Sequence, residues 1–245
     1  WVYTLREGRE NLCPSCKSWT MQVISTPSFT VSDVSFPTPT YLVGAPTVFD
    51  QFSTRLSGGF GGLYVYPVSK ELQFAAGIGI SNVTGAAMGT HSTFVKDSIL
   101  YGDTAGAPLS KVIERLTTQA ALTYLSVSGG VYYYPVPEHF YLYAGLAAGL
   151  LVGNSYSETS EILYPATLVD STGRSTGSRT LMLRSGALPN PNTFAISLQL
   201  SPGFLFKLSR DISLLSGAYM DLPLVDAVRD LNWHLTTFGL RLGLQ

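Results

Sequence analysis

Two cysteines, three histidines and one Asp-Ser-Thr-Gly run are the residues of this chain whose types and spacing could do chemistry. Cys13-Pro-Ser-Cys16 has the spacing of a thiol–disulfide exchanger or of half a zinc site. A zinc site needs two further ligands, and no second cysteine pair or nearby histidine supplies them. Redox catalysis needs a thioredoxin-like βαβ setting, which the flanking sequence lacks. The pair reads instead as a small structural disulfide between Cys13 and Cys16 in an oxidising compartment, or as an inert pair. Asp170-Ser-Thr-Gly173 has the wrong order for an Asp-Thr-Gly protease turn, and no second copy brings the partner carboxylate that shared-proton chemistry requires. His91, His139 and His234 are candidate bases. His234 lies near Asp226 and Asp230, and His139 sits in a short turn. With no fixed nucleophile, these histidines read as solvated rim residues. No catalytic, metal or cofactor site emerges, and the expectation is a non-enzymatic protein without cofactors.

The elements that would hold any site are more legible. The chain has 245 residues, only 13% of them charged, with 24 glycines, 14 tyrosines and 12 phenylalanines. Mean hydropathy is +0.21. Disorder is excluded, because it needs low hydrophobicity and high charge. A net charge of −1 argues against nucleic acid as a partner. Residues 1–18 carry Arg6, Glu7, Arg9, Glu10, Lys17 and both cysteines, a composition unlike the rest of the chain. They read as a tail or linker, with the main domain spanning 19–245.

Three stretches have no Asp, Glu, Lys or Arg: 72–95, 116–137 and 139–157. Each is long enough for a transmembrane helix, which takes about 20 residues. Their content argues otherwise. Residues 116–137 are dense in Thr, Ser, Tyr and Val, which suit a strand, and Gly129-Gly130 would weaken a helix. Residues 72–95 hold Asn82, Thr84, His91 and Ser92. A period of two fits. Phe140, Leu142, Ala144, Leu146, Ala148, Leu150 and Val152 share one face, and Tyr141, Tyr143, Gly145, Ala147, Gly149 and Leu151 the other. Residues 72–81, 194–208 and 236–245 alternate in the same way. A large-apolar face opposite a small or polar one is the pattern of a barrel with lipid outside.

Three short turns with polar tips, at 67–72, 135–140 and 208–213, join paired strands. The pairs are 57–67 with 72–82, 120–134 with 140–153, and 194–208 with 212–224. Adding 19–28 and 233–245 gives eight strands. The connections 29–56, 83–119, 154–193 and 225–232 are long and lie at the other end. The expected fold is all-β, a transmembrane antiparallel up-and-down eight-stranded β-barrel with short periplasmic turns and long extracellular loops. Lys207, Asp221 and Arg241 fall on the interior face, where they could pair; Arg55 lies near a rim. Tyr64, Tyr66, Tyr132, Tyr133, Tyr134, Tyr141 and Tyr143 cluster at two turns and read as an interfacial aromatic girdle.

The hairpins YVYPVSKELQFAAGIGI and YYYPVPEHFYLYAGLAAGLLVG, with the closing TFGLRLGLQ, resemble the small eight-stranded outer-membrane barrels, of the PorT-like or OmpX- or OmpW-like kind. The resemblance covers about 19–245. It implies a bacterial outer-membrane location with tail and C-terminus periplasmic, contact with outer-membrane lipid, and outer-membrane or periplasmic protein partners. An eight-stranded lumen is narrow enough for side chains to fill. The expected role is a membrane anchor or accessory scaffold subunit. The alternative is a narrow conduit or binding barrel for small apolar molecules, for which glycine-rich inner faces would leave room.

Overall fold

The computed structural model describes residues 20–35, 48–50, 53–69, 71–96, 109–136, 139–164, 180–188, 190–209, 212–229 and 232–245. The Cys13–Cys16 pair, the 1–18 tail and the Asp170–Gly173 run lie outside them. The described residues form eleven antiparallel strands: β1 (Thr20–Ser25), β2 (Ser28–Ser35), β3 (Val48–Asp50), β4 (Ser53–Pro67), β5 (Leu72–Lys96), β6 (Leu109–Val136), β7 (Phe140–Tyr164), β8 (Thr180–Gly186), β9 (Phe194–Lys207), β10 (Ser213–Pro223) and β11 (Asn232–Leu244).

Eight staves close on themselves. β4 to β7 pair in sequence order, β9 takes the place beside β7, and β10 and β11 follow. β1 and β2 are two halves of one stave, and both bridge β11 to β4. Pro27, which has no N–H to give a ladder, sits at the break between them. Pairing persists through the break: Thr26 N donates to Gly59 O at 2.9 Å, and Leu240 N to Pro27 O at 2.9 Å. Closure matters because hydrocarbon offers no partner to a free strand edge.

The exterior is apolar and the interior is filled. Ile78 is 67% exposed on the outer wall, whereas Leu122 inside is 0% exposed. Leu56, Phe60, Leu125, Val127, Leu146, Phe194 and Leu240 are also exposed outward. On β7 the outward apolar run goes from Phe140 to Val152. At about 3.3 Å per residue and a tilt of about 40° this projects to about 30 Å, the height of a bilayer core. Among the described residues no helix is long and apolar enough to cross a membrane; the crossing is made by strands.

The three short turns stand where the sequence places them. Val68 N and Ser69 N both donate to Leu72 O, and the Ser69 hydroxyl accepts from Leu72 N at 3.0 Å. Leu208 N donates to Ile212 O at 2.9 Å, and His139 N to Val136 O at 3.2 Å.

Strand ends differ from expectation. β5 runs to Lys96 rather than 82, β6 begins at Leu109 rather than 120, and β7 runs to Tyr164 rather than 153. Residues expected in the long connections are paired strand. β5 and β6 stay in register from Leu72↔Tyr133 to Lys96↔Leu109. β3 adds to β5 and β8 to β7 at this end. The physical reason is the change of surroundings. Above the belt the outward positions become Asn82, Thr123, Ser155, Ser157 and Thr159, suited to water, while the ladder continues. The Arg115–Glu161 pair, 3.5 Å apart and half exposed, spans β6 and β7 here. A bulge between Thr123 and Tyr124 shifts the alternation, so that even residues of β7 face inward above it and Glu158 is buried.

Candidate functional site: a chamber between two filled tiers

The lumen is filled in two tiers. The lower tier, at the short-turn end, holds Leu63, Val65, Ala75, Leu215 and four tyrosines, 132, 134, 141 and 143. Tyr132 is the hub. Its ring centroid lies 4.8 Å from that of Tyr143, 5.5 Å from Tyr141 and 6.1 Å from Tyr134. Glycines make room for these rings. Tyr141, Gly203, Gly217 and Arg241 occupy one rank across β7, β9, β10 and β11. A Cβ on Gly203 would meet the Tyr141 Oη at 2.5 Å and the Gly217 Cα at 2.7 Å.

Of the seven tyrosines expected as an interfacial girdle, only Tyr64, Tyr66 and Tyr133 are exposed on the outer wall. Tyr132, Tyr134, Tyr141 and Tyr143 are buried inside and are corrected to core. The signal that separates them is parity. Tyr132 and Tyr134 alternate with outward Tyr133, and Tyr141 and Tyr143 with outward Leu142. The Gly203 and Gly217 cut-outs across the sheet match the inward set.

Arg241 stands over this tier at 1% exposure. Its Cζ lies 4.0 Å from the Tyr143 ring centroid and 5.5 Å from that of Tyr132. Nη2 donates to the Tyr132 hydroxyl at 2.9 Å, which donates to Gln22 Oε1 at 2.9 Å. Gln22 Nε2 donates to Gln245 Oε1 at 3.1 Å, and Gln245 Nε2 to Thr20 Oγ1 at 3.0 Å. The chain of bonds has one polarity from the guanidinium to the rim. The rings accept the cation electrostatically, which explains how it is held here without a carboxylate.

Lys207, Asp221 and Arg241 do face the barrel axis, but they do not pair with one another. Lys207 is exposed at the turn end of β9, in register with Ser213. Asp221 sits higher, in register with Gln199 and Thr237. Its Oδ2 accepts from the Tyr219 hydroxyl at 3.0 Å, and Gln199 Nε2 donates to that hydroxyl at 3.2 Å. Their levels along the strands keep the three charges apart. Arg55 turns inward, in register with Thr30, whose hydroxyl bonds Ser57 and Thr237.

The upper tier holds Ala120, Leu122, Tyr124, Trp233 and Leu235, with Leu188, Ala227 and Val228 folded in from the connections. Trp233 Nε1 donates to Ser32 Oγ at 2.6 Å, and Leu188 N to Asn154 Oδ1 at 3.1 Å. A Pro191–Val228 bridge and an Asn192 N to Ala227 O bond of 2.9 Å tie those connections together.

Between the tiers lies a cavity of about 130 Å³. One wall is small: Gly59, Gly61, Gly79, Ser126, Ser128, Ala147 and Gly149. The facing wall is polar: Ser197, Gln199, Tyr219, Asp221 and Thr237, with Arg241 at the floor. The inner-face glycines thus leave room, as the sequence implies; the space has a mixed lining, with Ile24, Leu63, Val83 and Leu235 beside the polar groups, and the tyrosine tier blocks it below. Tyr219, Gln199 and Arg55 were not among the expected site residues. Period two places Tyr219 and Gln199 inside and leaves the facing of Arg55 open, and nothing in a single strand says which inward polar groups meet.

At the long-connection rim His234 Nε2 lies 3.4 Å from Asp226 Oδ1, both partly exposed. No hydroxyl or thiol bonds to that imidazole among the described residues. His139 sits in a short turn and His91 on the far part of β5. The described residues bring no group of three or more His, Cys, Asp or Glu together for a metal.

No protein-family model matches the chain, and no curated protein matches it. Among solved structures, Ail, the attachment invasion locus protein of Yersinia pestis, aligns over 91% of this chain and 97% of its own at 11% identity and a TM-score of 0.31. Neisserial surface protein A aligns over 93% and 98% at 10% identity and a TM-score of 0.34. Ail in complex with the heparin analogue sucrose octasulfate aligns over 91% and 97% at 12% identity and a TM-score of 0.29. Overlaps this loose carry nothing about ligand or role; the barrel stands on its own strand pairing.

Proposed function

We propose that this chain is a non-enzymatic integral barrel of a bacterial outer membrane, acting as anchor and as an accessory or scaffold subunit of a larger assembly. On this reading the short turns and both ends of the described chain face the periplasm, and the β5–β7 extension stands outside the cell. The observation that carries it is that extension. β6 continues from Leu125, in the belt, out to Leu109 as paired sheet rather than loose loop. At about 3.3 Å per residue that is roughly 50 Å of ordered strand offered to a partner. The outer wall meets lipid, and proteins of the outer membrane or periplasm are the other partners. The filled tiers count against a conduit for apolar molecules.

Extraction from native membranes in mild detergent, followed by native electrophoresis, tests the reading. A complex well above the 26.4 kDa of this chain is expected. Replacing residues 92–113 by a short Gly/Ser turn should leave a folded barrel that has lost its partner. Migration of the intact protein as a lone chain would overturn the scaffold role.

A further inference from the structure

We propose that the chamber between the tiers binds a small zwitterion of amino-acid size, its carboxylate on Arg241 and its ammonium on Asp221. Three observations converge. First, the two charges are unmatched by each other. Arg241 Nε and Asp221 Oδ1 have no hydrogen-bond partner among the described residues, and both side chains line the same cavity. Arg241 is also fully buried. Arg241 is otherwise held by Tyr132 and Tyr143, and Asp221 by Tyr219, so each keeps one open polar atom that an occupant of the chamber would satisfy.

Second, the charge pattern selects the class of occupant. A lone anion would meet Asp221, a lone cation would meet Arg241, and an apolar molecule would leave both desolvated. A molecule carrying both charges, overall neutral, fits the pair. Asp221 is in register with Thr237, four residues from Arg241 on β11, so the two backbones lie roughly 13 Å apart along the strand. The long arginine side chain reaches up to the Tyr143 ring and closes part of that span. The remaining interval suits an α-amino acid.

Third, the size and the access agree. A cavity of about 150 Å³ holds one benzene-sized molecule. At about 130 Å³ this one takes five or six heavy atoms, the size of glycine or alanine. Its lining continues to Val225, Asp226 and Ala227 in the β10–β11 connection, at the long-connection rim. The tyrosine tier closes the other end. The chamber is therefore a blind pocket, reached from one side, rather than a passage. Zwitterion binding here is independent of the scaffold role and needs no protein partner.

Titration calorimetry on the whole chain in detergent micelles tests it, with glycine and L-alanine as probes and methylammonium and acetate as half-probes. The zwitterions should bind, and each half-probe should bind at least about tenfold more weakly, since each forfeits one charge-assisted contact. Asp221→Asn and Arg241→Gln should each weaken glycine by about tenfold or more. Arg241 also holds the lower tier, so Ala147→Leu serves as a variant that fills the chamber and leaves both charges in place; it should abolish binding while the barrel keeps its strand circular dichroism. No heat from either zwitterion, acetate binding as well as glycine, or undiminished binding in a folded Asp221→Asn protein would overturn the proposal.

Discussion

Arg241 shows how a single residue can be both filler and fastener. Its guanidinium lies over two tyrosine rings and donates to one of them, so its removal loses packing, a cation–π contact and a charged hydrogen bond together. Arg241→Met should destabilise the barrel by about 2–4 kcal/mol, summing contacts of about 0.5–2 kcal/mol each over the rings and about 1.5–3 kcal/mol for the hydrogen bond, with methionine recovering part of the packing. Urea unfolding in lipid vesicles, followed by tryptophan fluorescence, measures it. An unchanged midpoint would mean that the ring contacts contribute nothing. At this scale the sequence shows that Arg241 faces inward, because Phe238, Leu240 and Leu242 take the other face. It does not show the receiving tyrosines, which come from strands about a hundred positions away.

At the scale of elements, the strand wall changes character along its length. Below Asn82, Thr123 and Val152 the outward side chains are mostly apolar; above them they are mostly small or polar, Thr, Ser and Gln among them. Ile78→Arg, on the lipid face, should cost about 2–4 kcal/mol, whereas Ser157→Arg beyond the belt should cost about 0–1 kcal/mol. Equilibrium unfolding of both variants in vesicles gives the comparison, and equal costs would displace the belt from where it is drawn. This change of character also explains what was legible. The eight staves and the three tight turns stand out because lipid enforces a contrast between the two faces of Phe140–Val152. The upper reaches of β5, β6 and β7 lack that contrast. A strand with water outside and a polar lumen inside, such as Thr117–Gln119, reads in sequence like a loop. The split of the first stave at Pro27 is a similar case, because Pro27 is visible but the continued pairing around it is not.

For the molecule as a whole, a chamber floored by the tyrosine tier describes a barrel that spans without conducting. Purified protein in planar bilayers should give no steady conductance steps at neutral pH. Regular single-channel steps in the wild-type protein would contradict the filling by Tyr132, Tyr141, Leu63 and Leu215. The tiers also divide labour. The lower one is built wholly from strand residues, while the upper one borrows Leu188, Ala227 and Val228 from connections, so the long-connection end can vary with its loops while the base stays fixed.

The seam between the first and last staves carries one more implication. β1 meets β11 over only Val23↔Leu244 to Ser25↔Leu242, and inside that narrow join Thr20, Gln22 and Gln245 are laced to Tyr132 on the opposite side. The cylinder therefore cannot be latched until β11 has been delivered: an insertion intermediate missing it would keep an unsealed edge and a loose tyrosine stack, so assembly is completed from the inside out, by a polar clasp rather than by the greasy wall.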